Sequence, residues 1–155
     1  PRAEEFTRAI IEEHDLPLSI VAPFRADHPL FARVPAFVLA NASKAGTMDL
    51  LMNAGPTHDM LAARALETLT PVFGSSANRS LTGSKFRFGD VEPEVIGGAD
   101  LVLDRGATKY RNDRGLGSTI IDLVSMRPVR VGVVFPAIQA IALERFDLGI
   151  PERAG

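Results

Sequence analysis

Three short segments of this chain carry the residue types that hold anions. They are Gly74-Ser75-Ser76-Ala77-Asn78-Arg79-Ser80, Asp104-Arg105-Gly106-Ala107 and Arg114-Gly115-Leu116-Gly117-Ser118-Thr119. Glycine lets backbone N–H groups come close to a ligand, and serine and threonine hydroxyls add donors without bulk. Each segment reads as a strand end running into a loop, the place where open α/β sheets bind nucleotides. Together they suit a phosphate or adenylate pocket, although a single Gly/Ser loop is more often a plain turn. Between the second and third segments, Arg105, Lys109, Arg111 and Arg114 crowd one stretch. Such a cluster clamps the phosphates of ATP or RNA, or it is a solvated loop whose charges serve solubility.

Other chemistries fail on spacing. His14, His28 and His58 lack metal-ligand spacing, there is no His-Glu-x-x-His, and these histidines read as surface or capping residues. Ser75 and Ser76 do not lie in a Gly-x-Ser-x-Gly elbow, and no Walker sequence is present. No catalytic residue and no metal ligand is assigned. The formal net charge is −2, so any anion site is local. With no cysteine, disulfides and thiolate metal sites are excluded, which fits a reducing cytoplasm. No apolar run approaches the roughly 20 residues a bilayer span needs, and no signal peptide is visible. The expected setting is cytoplasmic, away from membranes. Because the chain opens at Pro1 rather than Met, a natural N-terminal segment is expected to be missing.

The elements that must position these loops follow from periodicity. The chain has 155 residues, 46% of them hydrophobic, and reads as one globular domain over 1–155. Phe6, Ala9, Ile10 and Glu13 fall at helical spacing over 3–13. Leu18–Ala22, Ala36–Ala40 and Met48–Met52 read as strands. Residues 58–69 read as an alanine-rich helix with Thr57 at its N-cap. Leu101–Leu103 reads as a strand ending in an Asp-x-Gly turn. The runs 120–124 and 129–134 flank Arg127-Pro128 and suggest a hairpin. Pro136–Phe146 reads as a final helix with proline in its first turn. The mixture implies an α/β or α+β layered fold.

The order SSANRSLTG, then ADLVLDRGA, then GLGSTIIDL resembles the YrdC-like family, the threonylcarbamoyl-adenylate synthases. That family shows T-S-A-N-x-S-G, V-D-x-I-L-D-G-G and P-S-T-V-V-D-L segments. Pro17-Leu18-Ser19-Ile20-Val21 is similar to its K-P-L-S-V-L-V strand, so the likeness runs over roughly residues 3–125. It implies a twisted, mostly antiparallel open sheet flanked by helices. It implies a nucleotidyltransferase-type reaction in which ATP, L-threonine and bicarbonate give threonylcarbamoyl-AMP and pyrophosphate, for tRNA threonylcarbamoyladenosine modification. Carried over, Ser76 and Asn78 lie against the nucleotide, with Ser75 where the family has threonine. Ser118 contacts the adenylate phosphate region and Thr119 supports it. Asp104 and Asp122 match positions of structural role. ATP enters as a substrate with Mg2+ expected and no tightly bound cofactor. The implied partners are ATP or an AMP-like nucleotide, L-threonine, and tRNA or double-stranded RNA.

The chain departs from that pattern at three places. The early T-D-T-x-Y-G-L segment is absent. The basic K-R-x-x-x-K-P-L run is replaced by Glu12-Glu13-His14-Asp15-Leu16-Pro17-Leu18, and Asp49-Leu50-Leu51-Met52-Asn53 lacks the arginine of G-V-R-x-P. Arg111 and Arg114 are the candidates to replace the lost cations. These departures keep a second expectation open, a non-catalytic YrdC-like domain that binds nucleotide or double-stranded RNA.

Overall fold

Strand β1 (Leu18–Pro23) is the middle of a five-stranded sheet, and its first three residues are buried. The structure, a computed structural model, describes residues 2–152. On one side β1 pairs antiparallel with β3 (Thr47–Met52), Leu18 opposite Met52 and Pro23 opposite Thr47. On the other side it pairs in parallel with β4 (Ile120–Asp122). The outer strands are β2 (Ser43–Lys44), antiparallel to β3, and β5 (Arg127–Arg130), antiparallel to β4. The order is β2-β3-β1-β4-β5, an open, mostly antiparallel sheet flanked by helices in an α+β fold.

Residues opposite one another in an antiparallel pair share a face. Leu18, Ile20 and Ala22 therefore lie on the same side as Met52, Leu50 and Met48. Against this side pack Phe6, Ala9 and Ile10 from the first helix and Phe135, Ile138, Ile141 and Ala142 from the last, with Ile121 and Ile150 completing the cluster. The Phe6 and Phe146 rings meet edge to face, centroids 5.8 Å apart. Burying each large apolar side chain is worth about 1.5–3 kcal/mol, so this cluster dominates the stability of the sheet.

The first helix, α1 (Arg2–Arg8), continues as a π-helical turn over Ala9–Glu13, closed by the His14 N–H on the Ala9 carbonyl at 3.1 Å. Its end is bolted down by an ion pair between Glu13 and Arg145 of α5 (Phe135–Phe146). Helix α5 has Pro136 in its first turn, as its sequence predicts. It ends where Asp147 turns left-handed and the Leu148 N–H returns to the Ala142 carbonyl at 3.0 Å, a Schellman closure. No helix among the described residues is long and apolar enough to cross a membrane.

Some elements differ from the sequence reading. Residues 36–40 are helical, not extended, within α2 (Ala36–Ala42), which starts after Pro35 and closes with the Asn41 and Ser43 side chains on the Phe37 and Leu39 carbonyls. A short apolar run does not discriminate strand from helix by pattern alone. Helix α3 (Pro56–Thr68) starts earlier than read. Gly55 takes the N-cap place and Pro56 the first turn, so Thr57 lies inside the helix and caps nothing. Residues 101–103 form no strand, and all three are exposed without ladder partners. The hairpin of β4 and β5 stands, but its turn is at 123–126, and Arg127 and Pro128, expected between the strands, belong to β5 and pair with Asp122 and Ile121.

The described chain divides into two compact units. Residues up to Phe73 and from Ser118 onward form the first, which holds the whole sheet. Gly74–Gly117 forms the second, with the short helix α4 (Pro93–Gly97), a 3-10 turn at Phe88–Asp90 and otherwise irregular backbone. This second unit contains no buried residue. It is tied by polar links, including Lys85 to Glu92 at 3.2 Å and the Thr108 N–H to the Phe86 carbonyl at 2.9 Å.

Candidate anion-binding site

The first loop, 74–80, is irregular on both sides rather than the end of a strand. Its organising atom is the Arg79 carbonyl, which accepts from Asn78 Nδ2 at 2.7 Å, from the Thr82 hydroxyl at 2.9 Å and from the Thr82 N–H at 3.2 Å. Half of the Asn78 amide is therefore spent inside its own loop. Ser75 and Ser76 are exposed, and their hydroxyls make no hydrogen bond among the described residues. Beyond them, the Thr82 side chain, the residue's own backbone N–H and Lys85 hold the Glu92 carboxyl down at about 2.

The second loop is a tight Asx turn. Asp104 Oδ1 accepts from the Gly106 N–H at 2.8 Å, and Gly106 has φ +80. This loop too follows irregular backbone rather than a strand. Arg105 within it and Arg111 and Arg114 beyond it are all exposed, none with a side-chain hydrogen bond or ion pair among the described residues. The stretch that carries the last two is not slack. Asn112 Oδ1 accepts from the Leu116 N–H at 2.9 Å, and Asn112 Nδ2 donates to the Leu116 carbonyl at 2.9 Å.

The third loop also follows irregular backbone rather than a strand end. It leads instead into β4, and its last two residues belong to the first unit. Thr119 is fully buried. Its hydroxyl donates to the Val133 carbonyl at 2.7 Å and accepts from the Gly132 N–H at 3.2 Å, while its carbonyl accepts from the Ser19 N–H at 2.9 Å. Thr119 thus links β1, through its carbonyl, to the chain entering α5, through its hydroxyl. Ser118 is half-buried, bridged to Val133, and its own hydroxyl makes no bond among the described residues. Its carbonyl accepts from Arg130 Nε at 2.8 Å. Asp122 closes the β4–β5 turn by accepting from the Val124 and Ser125 N–H groups.

Compared with known proteins, the chain matches no family model, no curated protein and no solved structure.

Two residues of chemical interest escape the sequence. Arg130 is one cation in a β-branched run, and only the fold reveals that, from its place opposite Ile120, its side chain reaches the Ser118 carbonyl. Asp49 is the other. Burial raises its carboxyl above the usual carboxylate value, against the pull of the Arg130 charge and a hydrogen bond from Ser19. Asp49 of β3, Ser19 of β1 and Arg130 of β5 thus share the face of the sheet opposite the Phe6–Ile138 core. Asn112 carried a faint signal, an asparagine shortly before a glycine. Among the described residues no group of three His, Asp or Glu side chains is placed to hold a metal ion.

Proposed function

We propose that this chain is a YrdC-like nucleotide-binding domain, resembling the L-threonylcarbamoyladenylate synthases that act in tRNA modification, and that it works in the cytoplasm. The supporting observation is the meeting of Ser118 and Arg130 at the entry to β4. There a guanidinium, fixed through Nε to the Ser118 carbonyl at 2.8 Å, keeps its terminal nitrogens available beside a residue with an uncommitted hydroxyl. A fixed cation with adjacent hydroxyl donors is the equipment for a phosphate. The open, mostly antiparallel sheet flanked by helices is of the class that the resemblance leads one to expect.

In the reaction so implied, the L-threonine amine and bicarbonate would combine to a carbamate with loss of water, a carbamate oxygen would attack the α-phosphorus of ATP, and pyrophosphate would leave. Donors aimed at the developing charge supply much of the stabilisation, and alignment of the reactants supplies the rest. Mg2+ would arrive on the ATP oxygens. In the first unit Ser118 and Arg130 would take the phosphate. Taken by itself, the second unit carries hydroxyl and amide groups on Ser75, Ser76 and Asn78 and exposed cations on Arg111 and Arg114.

A second reading is favoured by one specific feature. Glu12 and Glu13, which replace the family's basic run, are spent on Arg8 and Arg145. The Arg145 hydrogen bond lowers the Glu13 carboxyl, and neither acid supplies the cation that the family's basic run would bring to a phosphate. With those acids in place, the exposed Arg105, Arg111 and Arg114 suit a chain that binds nucleotide or double-stranded RNA without turnover. Titrating ATP into the protein by calorimetry, followed by a pyrophosphate-release assay with L-threonine and bicarbonate, separates the two. Binding with release supports the synthase. Binding without release supports the second reading. If ATP and duplex RNA both fail to bind, neither stands.

A further inference from the structure

We infer that Asn112 is the positioning residue of the basic loop, closing residues 112–116 so that Arg111 and Arg114 are presented together to one phosphate chain. This rests on the nucleotide reading above and identifies what makes its cationic loop competent. The Asn112 side chain behaves like a neighbouring strand, accepting from the Leu116 N–H and donating to the Leu116 carbonyl, each at 2.9 Å. Its Nδ2 also reaches the Tyr110 carbonyl at 3.3 Å, and its own carbonyl accepts from the Gly115 N–H at 3.3 Å. Gly115, at φ +66, makes the reversal that brings Leu116 back. The Arg111 N–H is tied in turn to the Thr108 carbonyl at 3.4 Å. Asn112 is half-buried, whereas Arg111 and Arg114 on either side of it are exposed.

Two arginines on a slack loop would lose backbone freedom on capturing an anion, and that loss would be subtracted from affinity. A loop already closed has met the backbone part before the ligand arrives. No other side chain of ordinary size reproduces the contact. Aspartate keeps the bond from the Leu116 N–H but loses both donor bonds, and glutamine is one methylene too long.

The test is ATP titration by calorimetry of the full chain and four variants: Asn112→Ala, Gly115→Ala, Arg111→Ala/Arg114→Ala, and that pair combined with Asn112→Ala. Gly115→Ala meets no neighbouring atom but strains the positive φ, so it disturbs the loop by an independent route. Asn112→Ala and Gly115→Ala should each weaken ATP by about tenfold, the equivalent of roughly one charge-assisted hydrogen bond. In the background lacking both arginines, Asn112→Ala should cause no further loss. Unchanged ATP affinity in both loop variants overturns the inference and leaves the nucleotide reading standing. An equal loss with and without the arginines also overturns it, because that is the mark of a general structural role. Failure of the unsubstituted protein to bind ATP overturns the parent reading and this one with it.

Discussion

Single residues divide here into those whose polar atoms are spent and those whose atoms are available. Thr119 is spent. Its buried hydroxyl serves both Val133 and Gly132. Thr119→Val keeps the shape but strands those partners, and an unsatisfied buried group costs about 1–3 kcal/mol. Urea denaturation should register that loss, while ATP affinity of the folded protein should be unchanged. Ser118→Ala should do the reverse, weakening ATP with little effect on the denaturation midpoint. Glu92 supplies a pH signature. Its folded value of about 2 lies below its ordinary 4.5. Its contribution is therefore present above pH 4.5 and is lost as pH falls from there toward 2. Glu92→Gln should be less stable than the unsubstituted chain at pH 7, and the two denaturation curves should converge by pH 2.

Elements were legible in the sequence where periodicity and punctuation agreed. Phe6 and Ile10, one helical turn apart, gave the first helix, and Pro136 marked the start of the last. The β-branched runs on either side of Arg127-Pro128 gave the hairpin. What stayed hidden was short or locally ambiguous. The segment AFVLA fits either state, and its two closing side chains, Asn41 and Ser43, decided for helix. Strand β2 is only Ser43–Lys44. It is joined to β3 through Ala45 and Gly46, both at positive φ, so a tight turn is made with alanine where asparagine is usual. The candidate site was legible as loops but not as contacts, because Arg130 and Asn112 act through register and side-chain closure that no motif encodes. Leu69 belongs to this scale as well. It ends α3 in the left-handed region at φ 50, which costs an L-residue roughly 1–2 kcal/mol. Leu69→Gly should stabilise the protein by about 0.5–1 kcal/mol, after the entropy that glycine adds to the unfolded chain. Thermal melting would reveal a higher midpoint.

At the scale of the molecule, stability is unevenly distributed. The apolar cluster lies wholly in the unit that holds the sheet, and Gly74–Gly117 is held by polar links and turns. Local opening free energies follow buried apolar contact. Amide exchange should therefore be slowest in β1, β4 and α5 and fast throughout 74–117. Comparable protection in the two units would contradict that distribution. The α3 surface, with Met60, Leu61 and Leu66 exposed, adds nothing to the core.

The parallel pairing of β1 with β4 joins Ser19 to Ile120. Joining strands so distant in sequence closes a very long loop. Each doubling of loop length adds only about 0.6 kcal/mol, so the finished protein bears little penalty. The burden falls on kinetics, since distant pairings slow the search. On the ribosome, β1 and β3 can meet early, but they wait as a half-covered ribbon until residue 120 has emerged, and during that wait a chaperone would find its best purchase.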